Sequence, residues 1–249
     1  GQTGTKVLVE ISSESGEIRE VDLERRSVDL RPVRTKRLRD DSHTIGYLRI
    51  TQFSESVPKK VEEALQELKE KEVEGLILDL RNNSGGLVSS GIAVADSLLS
   101  EKPVVETKNR NGIKDVIISQ KETSFDGPMV TLVNKGTASA SEILAGSLQD
   151  NGRSILMGKQ TYGKGLIQSL KSLGEDSGIA ITVASYLTPK GNNIQGQGMN
   201  PDNLLDLPEA SEFGSAEDKW VRNAELFIDS LLEKDEISTQ SIELSNEGT

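Results

Sequence analysis

A serine at the start of a predicted helix is the first residue in this sequence that could do covalent chemistry. Ser139 lies in the segment GTASASE at residues 136–142, which follows an apolar strand and begins a helix. The first backbone N–H groups of a helix have no partner within it, and they can stabilise an oxyanion beside the serine. Ser139 and Glu142 also have the Ser-x-x-Glu spacing of a capping box. From this segment alone, Ser139 is either a nucleophile or only a helix cap.

A lysine between two glycines is the candidate base for that serine. Lys164 lies in the segment TYGKGLIQ at residues 161–168. Glycines let the backbone bend and approach closely, so they can press the amine against apolar surroundings, where desolvation lowers its pKa. A solvated loop lysine is the alternative. The amide of Gln168 could orient the amine in a helix, whereas an extended strand would place the two residues about 13 Å apart.

The composition excludes several other chemistries. The chain has 249 residues, no cysteine and one histidine. It therefore contains no thiol nucleophile, no disulfide and no thiolate metal site, and it lacks the two-histidine helical zinc motif of metalloproteases. The histidine, His43, has no recognisable motif around it, and we interpret it as an exposed loop residue rather than a base.

Charge and hydropathy exclude further classes of partner. The chain has 29 basic and 40 acidic residues, for a formal net charge of −11. This excess argues against nonspecific binding to nucleic acid or to anionic membranes. No apolar run is long enough to span a bilayer. The N-terminus has neither a starting methionine nor the layout of a signal peptide, so we expect a processed or cut product.

Alternating strands and helices are predicted to position the candidate residues. Strands are predicted over residues 45–53, 76–80, 129–133, 155–157 and 179–186, and helices from Pro58, through residues 92–99 and over residues 140–149. Repeated strand–helix–strand order predicts a mostly parallel sheet covered by helices. In such sheets, sites gather in the turns at the strand ends. Residues 81–86 and 134–137 form two turns of this kind.

The two ends of the chain have different patterns. Residues 5–23 predict two alternating strands. Residues 31–39 contain five basic side chains, Arg31, Arg34, Lys36, Arg37 and Arg39. We interpret this run as a solvated connector rather than an anion site. Residues 216–233 predict an amphipathic helix that packs on the core, followed by a frayed polar tail.

Three ordered blocks of the sequence resemble the C-terminal processing (tail-specific) serine proteases. The blocks are LILDLRNNSGGL at 76–87, VNKGTASASEILAG at 133–146 and TYGKGLIQ at 161–168. Together with TVASYLTPKG and GMNPD, they are most similar to the photosynthetic branch, which trims the C-terminus of the photosystem II D1 precursor. The similarity covers roughly residues 1–208, and three blocks in order are far more specific than any one of them.

The resemblance implies a role for each residue that matches a family motif. Ser139 would be the nucleophile, Lys164 the general base and Gln168 the residue that positions the lysine. The backbone N–H groups of Gly85 and Ala140 would form the oxyanion hole.

A supporting residue and two departures complete the comparison with the family. Asp150, at the end of the helix that Ser139 begins, would support the site rather than react. Ser84 stands where the family usually has proline or glycine, and Lys159 stands where glutamate is common. Both departures lie outside the implied catalytic set.

The resemblance also implies a fold and a division into domains. The fold would be an α/β, ClpP/crotonase-like core with a mostly parallel sheet covered by helices, preceded by the last strands of a truncated PDZ domain. Residues 1–30 would be the PDZ remnant, residues 31–210 the catalytic core, and residues 211–249 a C-terminal helix and tail.

The implied activity is that of a serine endopeptidase that needs no metal or organic cofactor. Its partner would be a protein or peptide substrate with a free C-terminus, with the D1 precursor as one candidate, and its location the periplasm or the thylakoid lumen. A catalytically inactive binding module of the same fold is the main alternative. A crotonase-type acyl-CoA enzyme is a second alternative, although an acidic chain without a visible basic phosphate pocket argues against it.

Overall fold

The chain divides into a small N-terminal unit, Gly1–Arg31, and a large unit, Pro32–Thr249. The computed structural model describes residues 1–13, 15–26, 31–39, 43–112, 114–174 and 177–246. The N-terminal unit contains two antiparallel strands, β1 (Lys6–Ser12) and β2 (Ile18–Glu24). The two strands predicted for this segment are therefore confirmed.

The large unit alternates strands and helices along the chain. In chain order its elements are β3 (Val33–Arg39), β4 (Thr44–Ile50), α1 (Val57–Glu70), β5 (Gly75–Asp79), α2 (Val88–Asp96), β6 (Pro103–Asn109), β7 (Lys114–Ile118), β8 (Met129–Val133), α3 (Ala140–Asp150), β9 (Ile155–Gly158), β10 (Leu166–Gly174), β11 (Ser177–Leu187), β12 (Asn203–Leu204) and α4 (Lys219–Asn246).

A six-stranded sheet forms the centre of the large unit. Its strand order is β12-β9-β8-β5-β4-β3. All neighbouring strands are parallel except β3 and β4, which are antiparallel. This arrangement confirms the predicted α/β class with a mostly parallel sheet.

Helices cover both faces of this sheet because its middle strands are apolar on both sides. Every residue of β5 and β8 is buried, as is typical of central parallel strands. Leu76 and Leu78 of β5 belong to the core cluster that includes side chains of α1, α2 and α3. Ile77, which points the other way, belongs to a second cluster with Trp220 and Ile228 of α4. The turns after β5 and β8 are thus held between two packed layers.

A second sheet of four antiparallel strands, in the order β10-β11-β6-β7, belongs to the same unit. Of these strands, only part of β11 is predicted from the sequence. The segment of Lys164 leads directly into β10, and Tyr186 lies near the end of β11. This sheet therefore brings a long hairpin to the same region as the end of β8.

Two predictions about the ends of the large unit are wrong. Residues 33–39 of the basic run are not a connector but the edge strand β3, in which the exposed side chains of Arg34, Lys36 and Arg37 suit a strand at the edge of a sheet. Helix α4 continues to Asn246, so residues 235–246 of the fifteen-residue tail predicted to fray are helical; residues 247–249 lie outside the described residues. None of the helices in the described part of the chain is both long and apolar enough to cross a membrane.

Candidate active site

Ser139 lies in a strained turn between β8 and α3, immediately before the helix begins. Its φ is +59° and its ψ is −120°, a conformation that residues with a side chain rarely adopt. Strained strand-to-helix turns of this kind hold the nucleophile in some hydrolases. Ser139 itself is 9% exposed. Backbone strain is not needed for a simple helix cap, so the geometry favours a chemical role for Ser139 over a capping role alone.

The turn after β5 approaches Ser139 closely. A Cβ atom placed on Gly85 would lie 2.7 Å from the Cβ of Ser139 and 3.0 Å from the backbone nitrogen of Ala140. Ala140 contributes the first N–H group of α3, and this group has no hydrogen-bond partner among the described residues. The Gly85 N–H donates to Asn83 Oδ1 at 3.0 Å. The Ala140 N–H is thus available to a ligand. The Gly85 N–H becomes available only when its hydrogen bond to Asn83 Oδ1 breaks.

Hydrogen bonds join the two turns into one structure. The carbonyl oxygen of Asn83 accepts bonds from Ala138 N at 3.0 Å and from Ser141 Oγ at 2.9 Å. The hydroxyl of Thr137 donates to the carbonyl oxygen of Leu80 at 2.9 Å. The position of Gly85 relative to Ser139 is therefore fixed by bonds on both sides of the contact.

We expect Gly85→Ala to destabilise the fold through a clash at this contact. The φ of Gly85 is +99°, and the added methyl group would lie 2.8 Å from the carbonyl oxygen of Ala138. The control is Gly191→Ala, where φ is +81° but the added atom would meet nothing within 4 Å. Both substitutions place a residue with a side chain at a positive φ, and this strain lowers the free energy of unfolding by about 1–3 kcal/mol. Gly85→Ala should lower the free energy of unfolding by clearly more, and equal losses in chemical denaturation would contradict the clash.

A buried ion-pair network lies behind the turn after β5. The Arg81 guanidinium is fully buried, and its Nη2 lies 2.6 Å from both Asp79 Oδ2 and Asp218 Oδ2. The central carbon of this guanidinium, Arg81 Cζ, lies 4.2 Å from the centre of the Phe213 ring. Burial raises the pKa of Asp218, but hydrogen bonds and charge from Arg81 outweigh it, and that pKa lies below its ordinary value. This network ties the beginning of the turn to the residue before α4.

Glu142 connects the serine to the lysine segment, a role that the sequence analysis missed. Its fully buried carboxylate accepts four hydrogen bonds. The donors are Ser139 N at 2.9 Å, Lys164 N at 2.9 Å, Gly163 N at 2.7 Å and Thr161 Oγ1 at 2.5 Å. Ser139 and Lys164 share one oxygen, Oε2, so their backbone nitrogens are no further apart than the sum of two 2.9 Å bonds. The Ser-x-x-Glu spacing in the sequence indicated only the first of these bonds.

Lys164 has its backbone at the site, but its side chain is exposed. Of the two alternatives for this segment, the structure has the solvated loop lysine and not an amine pressed against apolar surroundings. The flanking glycines instead let the backbone approach the turn at residues 194–198. A Cβ on Gly163 would lie 2.6 Å from Gly198 N, and one on Gly165 would lie 3.0 Å from Gln195 N. The glycines therefore seat the segment and leave the amine in solvent.

Tyr186 is a second residue of the site that the sequence did not reveal. Its side chain is 2% exposed, and its hydroxyl lies 3.3 Å from Ser139 Oγ and 2.5 Å from the carbonyl oxygen of Lys164. Burial raises the pKa of the Tyr186 phenol, the charge of Glu142 adds to the rise, and the hydrogen bond with Ser139 opposes it. Tyr186 thus contacts both candidate catalytic residues and remains protonated at neutral pH.

The other predicted site residues lie further out. Gln168 is exposed on β10, where it lies opposite Thr182. The segment is therefore extended at Gln168, and an extended segment is the alternative that separates the Gln168 amide from the Lys164 amine. Asp150 closes α3, and its Oδ2 accepts a hydrogen bond from Lys190 N at 2.8 Å, which ties the helix to the turn after β11.

The interpretation of His43 as an exposed loop residue is wrong. His43 is 7% exposed, and its Nδ1 lies 3.2 Å from Asp229 Oδ1 of α4. The sequence could not reveal this pair, because the two residues are far apart in the chain. His43 directly precedes β4 of the six-stranded sheet, and α4 packs on that sheet. Within the described ranges, no group of three or more His, Asp or Glu residues could hold a metal ion.

Comparison with known proteins places this chain in a family. The family model described as Peptidase family S41 matches residues 44–205. The carboxyl-terminal-processing protease of Synechocystis sp. is 47% identical over 212 residues, which are 84% of this chain and 49% of that protein. The chloroplastic carboxyl-terminal-processing peptidase 3 of Arabidopsis thaliana is 40% identical over 218 residues, which are 81% of this chain and 41% of that protein.

A solved structure supports the same assignment. The structure of a photosystem II D1 C-terminal processing protease matches with a TM-score of 0.71 and 36% identity, over 83% of this chain and 57% of that chain. The chain spans about half the length of the curated relatives named above. Because the family model matches more than half of the residues, the chain belongs to peptidase family S41.

Proposed function

We propose that this chain carries a serine endopeptidase with a Ser/Lys dyad, which cleaves near the C-terminus of protein substrates. One observation carries the proposal: the backbone N–H groups of Ser139 and Lys164 bind the same carboxylate oxygen of Glu142. The two residues are distant in the sequence, and nothing in helix capping requires the second bond. Membership of peptidase family S41 supports the same reading.

In the proposed mechanism, the Lys164 side chain turns from solvent towards Ser139 while its backbone stays in place. The neutral amine takes the Ser139 proton as Oγ attacks the scissile carbonyl carbon, and the N–H groups of Ala140 and Gly85 hold the oxyanion. The lysine ammonium then gives its proton to the leaving amine. A water molecule then enters and loses a proton to the Lys164 amine. The resulting hydroxide hydrolyses the acyl-enzyme.

Two further residues have proposed supporting roles. Gln168 would position the Lys164 amine once the side chain has turned, and this requires that the start of β10 also moves. Asp150 would hold the C-terminal end of α3 in place through its bond to Lys190 N. Neither residue exchanges a proton with the substrate in this mechanism, and no metal or organic cofactor takes part.

The proposed substrates are proteins or peptides with a free C-terminus. The relatives include chloroplastic and cyanobacterial carboxyl-terminal-processing enzymes, and the matched solved structure is that of a photosystem II D1 processing protease. The D1 precursor is therefore a candidate substrate, and the thylakoid lumen or the periplasm a candidate location. We also propose that residues 1–30 are the last strands of a PDZ domain, which would recognise substrate tails.

The proposal is tested by labelling the native chain with a serine-directed phosphonylating probe, followed by mass spectrometry. We expect a label on Ser139 that is absent from Ser139→Ala and from Lys164→Ala, because the hydroxyl needs a base to react. Heat-denatured protein serves as the control for nonspecific labelling. A folded chain that takes no label would instead favour an inactive binding module, and labelling of Lys164→Ala at the wild-type rate would exclude the dyad.

A further inference from the structure

We propose that Tyr186 is a further catalytic residue, whose hydroxyl donates a hydrogen bond to Ser139 Oγ when negative charge collects on that oxygen. The inference rests on the Ser/Lys mechanism proposed above and adds a group to it. It starts from the position of the phenol oxygen, 3.3 Å from Ser139 Oγ and 2.5 Å from the carbonyl oxygen of Lys164.

The Tyr186 hydroxyl has one proton and two neighbouring oxygens that can accept it. The carbonyl oxygen of Lys164 can only accept, and its bond is the shorter one, so the proton lies towards Lys164 in the resting structure. Rotation about the phenol C–O bond redirects the same proton to Ser139 Oγ without movement of the ring. Because charged acceptors form the stronger hydrogen bonds, this redirection is favoured once Oγ becomes negative.

The phenol acts as a donor and not as a second base. Tyr186 is buried, and its pKa is raised, so it keeps its proton at neutral pH. When Ser139 attacks, its proton moves to the Lys164 amine, and no proton leaves Tyr186. The same hydrogen bond forms again when Oγ leaves the acyl-enzyme and takes a proton back from the lysine ammonium. The bond is thus strong only while charge is present, which should raise kcat and leave KM unchanged.

The backbone of Tyr186 makes the hydroxyl separable from its surroundings. Tyr186 N donates to the carbonyl oxygen of Gly165 at 3.0 Å, so β11 also holds the lysine segment through its main chain. A phenylalanine at this position keeps that bond and the buried ring. The substitution Tyr186→Phe therefore removes the hydroxyl and, with it, the hydrogen bonds to Ser139 Oγ and to the Lys164 carbonyl oxygen.

We expect Tyr186→Phe to slow both phosphonylation of Ser139 and cleavage of a C-terminally extended peptide by about 10- to 100-fold. KM should change less than about twofold, because the bond forms on a charged oxygen that the bound substrate has not yet produced. Replacement of Tyr186 by 3-fluorotyrosine, which keeps the hydroxyl and is a stronger donor, should preserve or raise the rate.

The matched control is Tyr47→Phe, which removes a buried phenol hydroxyl that donates to Asp79 at 2.6 Å. It should lower the melting temperature and leave the labelling rate near the wild-type value. A wild-type rate in folded Tyr186→Phe would overturn the role of Tyr186, and so would a loss seen mainly in KM. If the phenylalanine variant does not fold, a fluorotyrosine protein that labels more slowly than the wild type would overturn it. Failure of the wild-type chain itself to label Ser139 would instead refute the Ser/Lys proposal.

Discussion

Lys164→Arg is expected to lower kcat for a C-terminally extended peptide by about 10³-fold, and Lys164→Ala is expected to lower it by as much. Arginine keeps the positive charge and the length of the side chain, but its guanidinium stays protonated and cannot accept the serine proton. The Lys164 side chain is exposed, and the residue is held through its N–H and carbonyl groups. The loss should therefore come without a change in melting temperature.

The arginine variant separates a base from a charge. A lysine that only attracts a substrate carboxylate would be replaced well by arginine, and activity would survive. Lys59→Arg is the matched control, because Lys59 is an exposed lysine on α1 whose side chain is 82% accessible. Steady-state kinetics on the three variants with one peptide decides the point, and a Lys164→Arg enzyme within about tenfold of the wild type would remove Lys164 as the base.

Local sequence predicted the parts of the site that lie on single turns. Ser139 and Ala140 follow β8 at the start of α3, where small residues and a helix start are visible in the sequence. Gly85 follows β5 in the same way. The two turns depend on neighbours within a few residues, so strand and helix patterns suffice to find them. The oxyanion-hole roles of Gly85 and Ala140 came from the family resemblance.

Tyr186 and the full role of Glu142 were out of reach because they depend on contacts between distant segments. Tyr186 belongs to β11, and its hydroxyl contacts Ser139 Oγ although the two residues are 47 positions apart in the chain. Glu142 is visible as a capping residue, but three of its four donors lie in the segment that leads into β10. Sequence periodicity carries no information about such packing.

The same reason explains the errors in the fold. The strand β3 is mostly polar because it lies at a sheet edge, and an edge strand needs an apolar pattern less than a central one. His43 is buried by α4, the last helix of the chain. The central strands β5 and β8 were predictable because burial on both faces requires a continuous apolar run.

Glu142→Gln is expected to lower kcat by about 10²-fold or more, since a displacement of roughly 1 Å between reacting groups can have that effect. The glutamine amide has one oxygen and one NH2 group in place of two acceptors. One pair of donors would then face an N–H group, either Ser139 N with Lys164 N or Gly163 N with Thr161 Oγ1. Leaving buried donors unpaired should also lower the free energy of unfolding by about 1–3 kcal/mol.

A second buried carboxylate separates the catalytic effect of Glu142→Gln from its effect on stability. Glu225 of α4 is 9% exposed, and its Oε2 lies 3.6 Å from Arg222 Nη1. Glu225→Gln therefore removes a buried charge outside the site. Both variants should unfold more easily in a chemical denaturation series, whereas only Glu142→Gln should lose activity when assayed well below its melting temperature. The carboxylate of Glu142 holds Ser139 and Lys164 on one oxygen, and an amide cannot accept from both pairs of donors. A role in the dyad therefore requires that Glu142→Gln loses more activity than Glu225→Gln at a similar loss of stability. Parallel losses of activity in the two variants would reduce Glu142 to a residue that merely stabilises the fold.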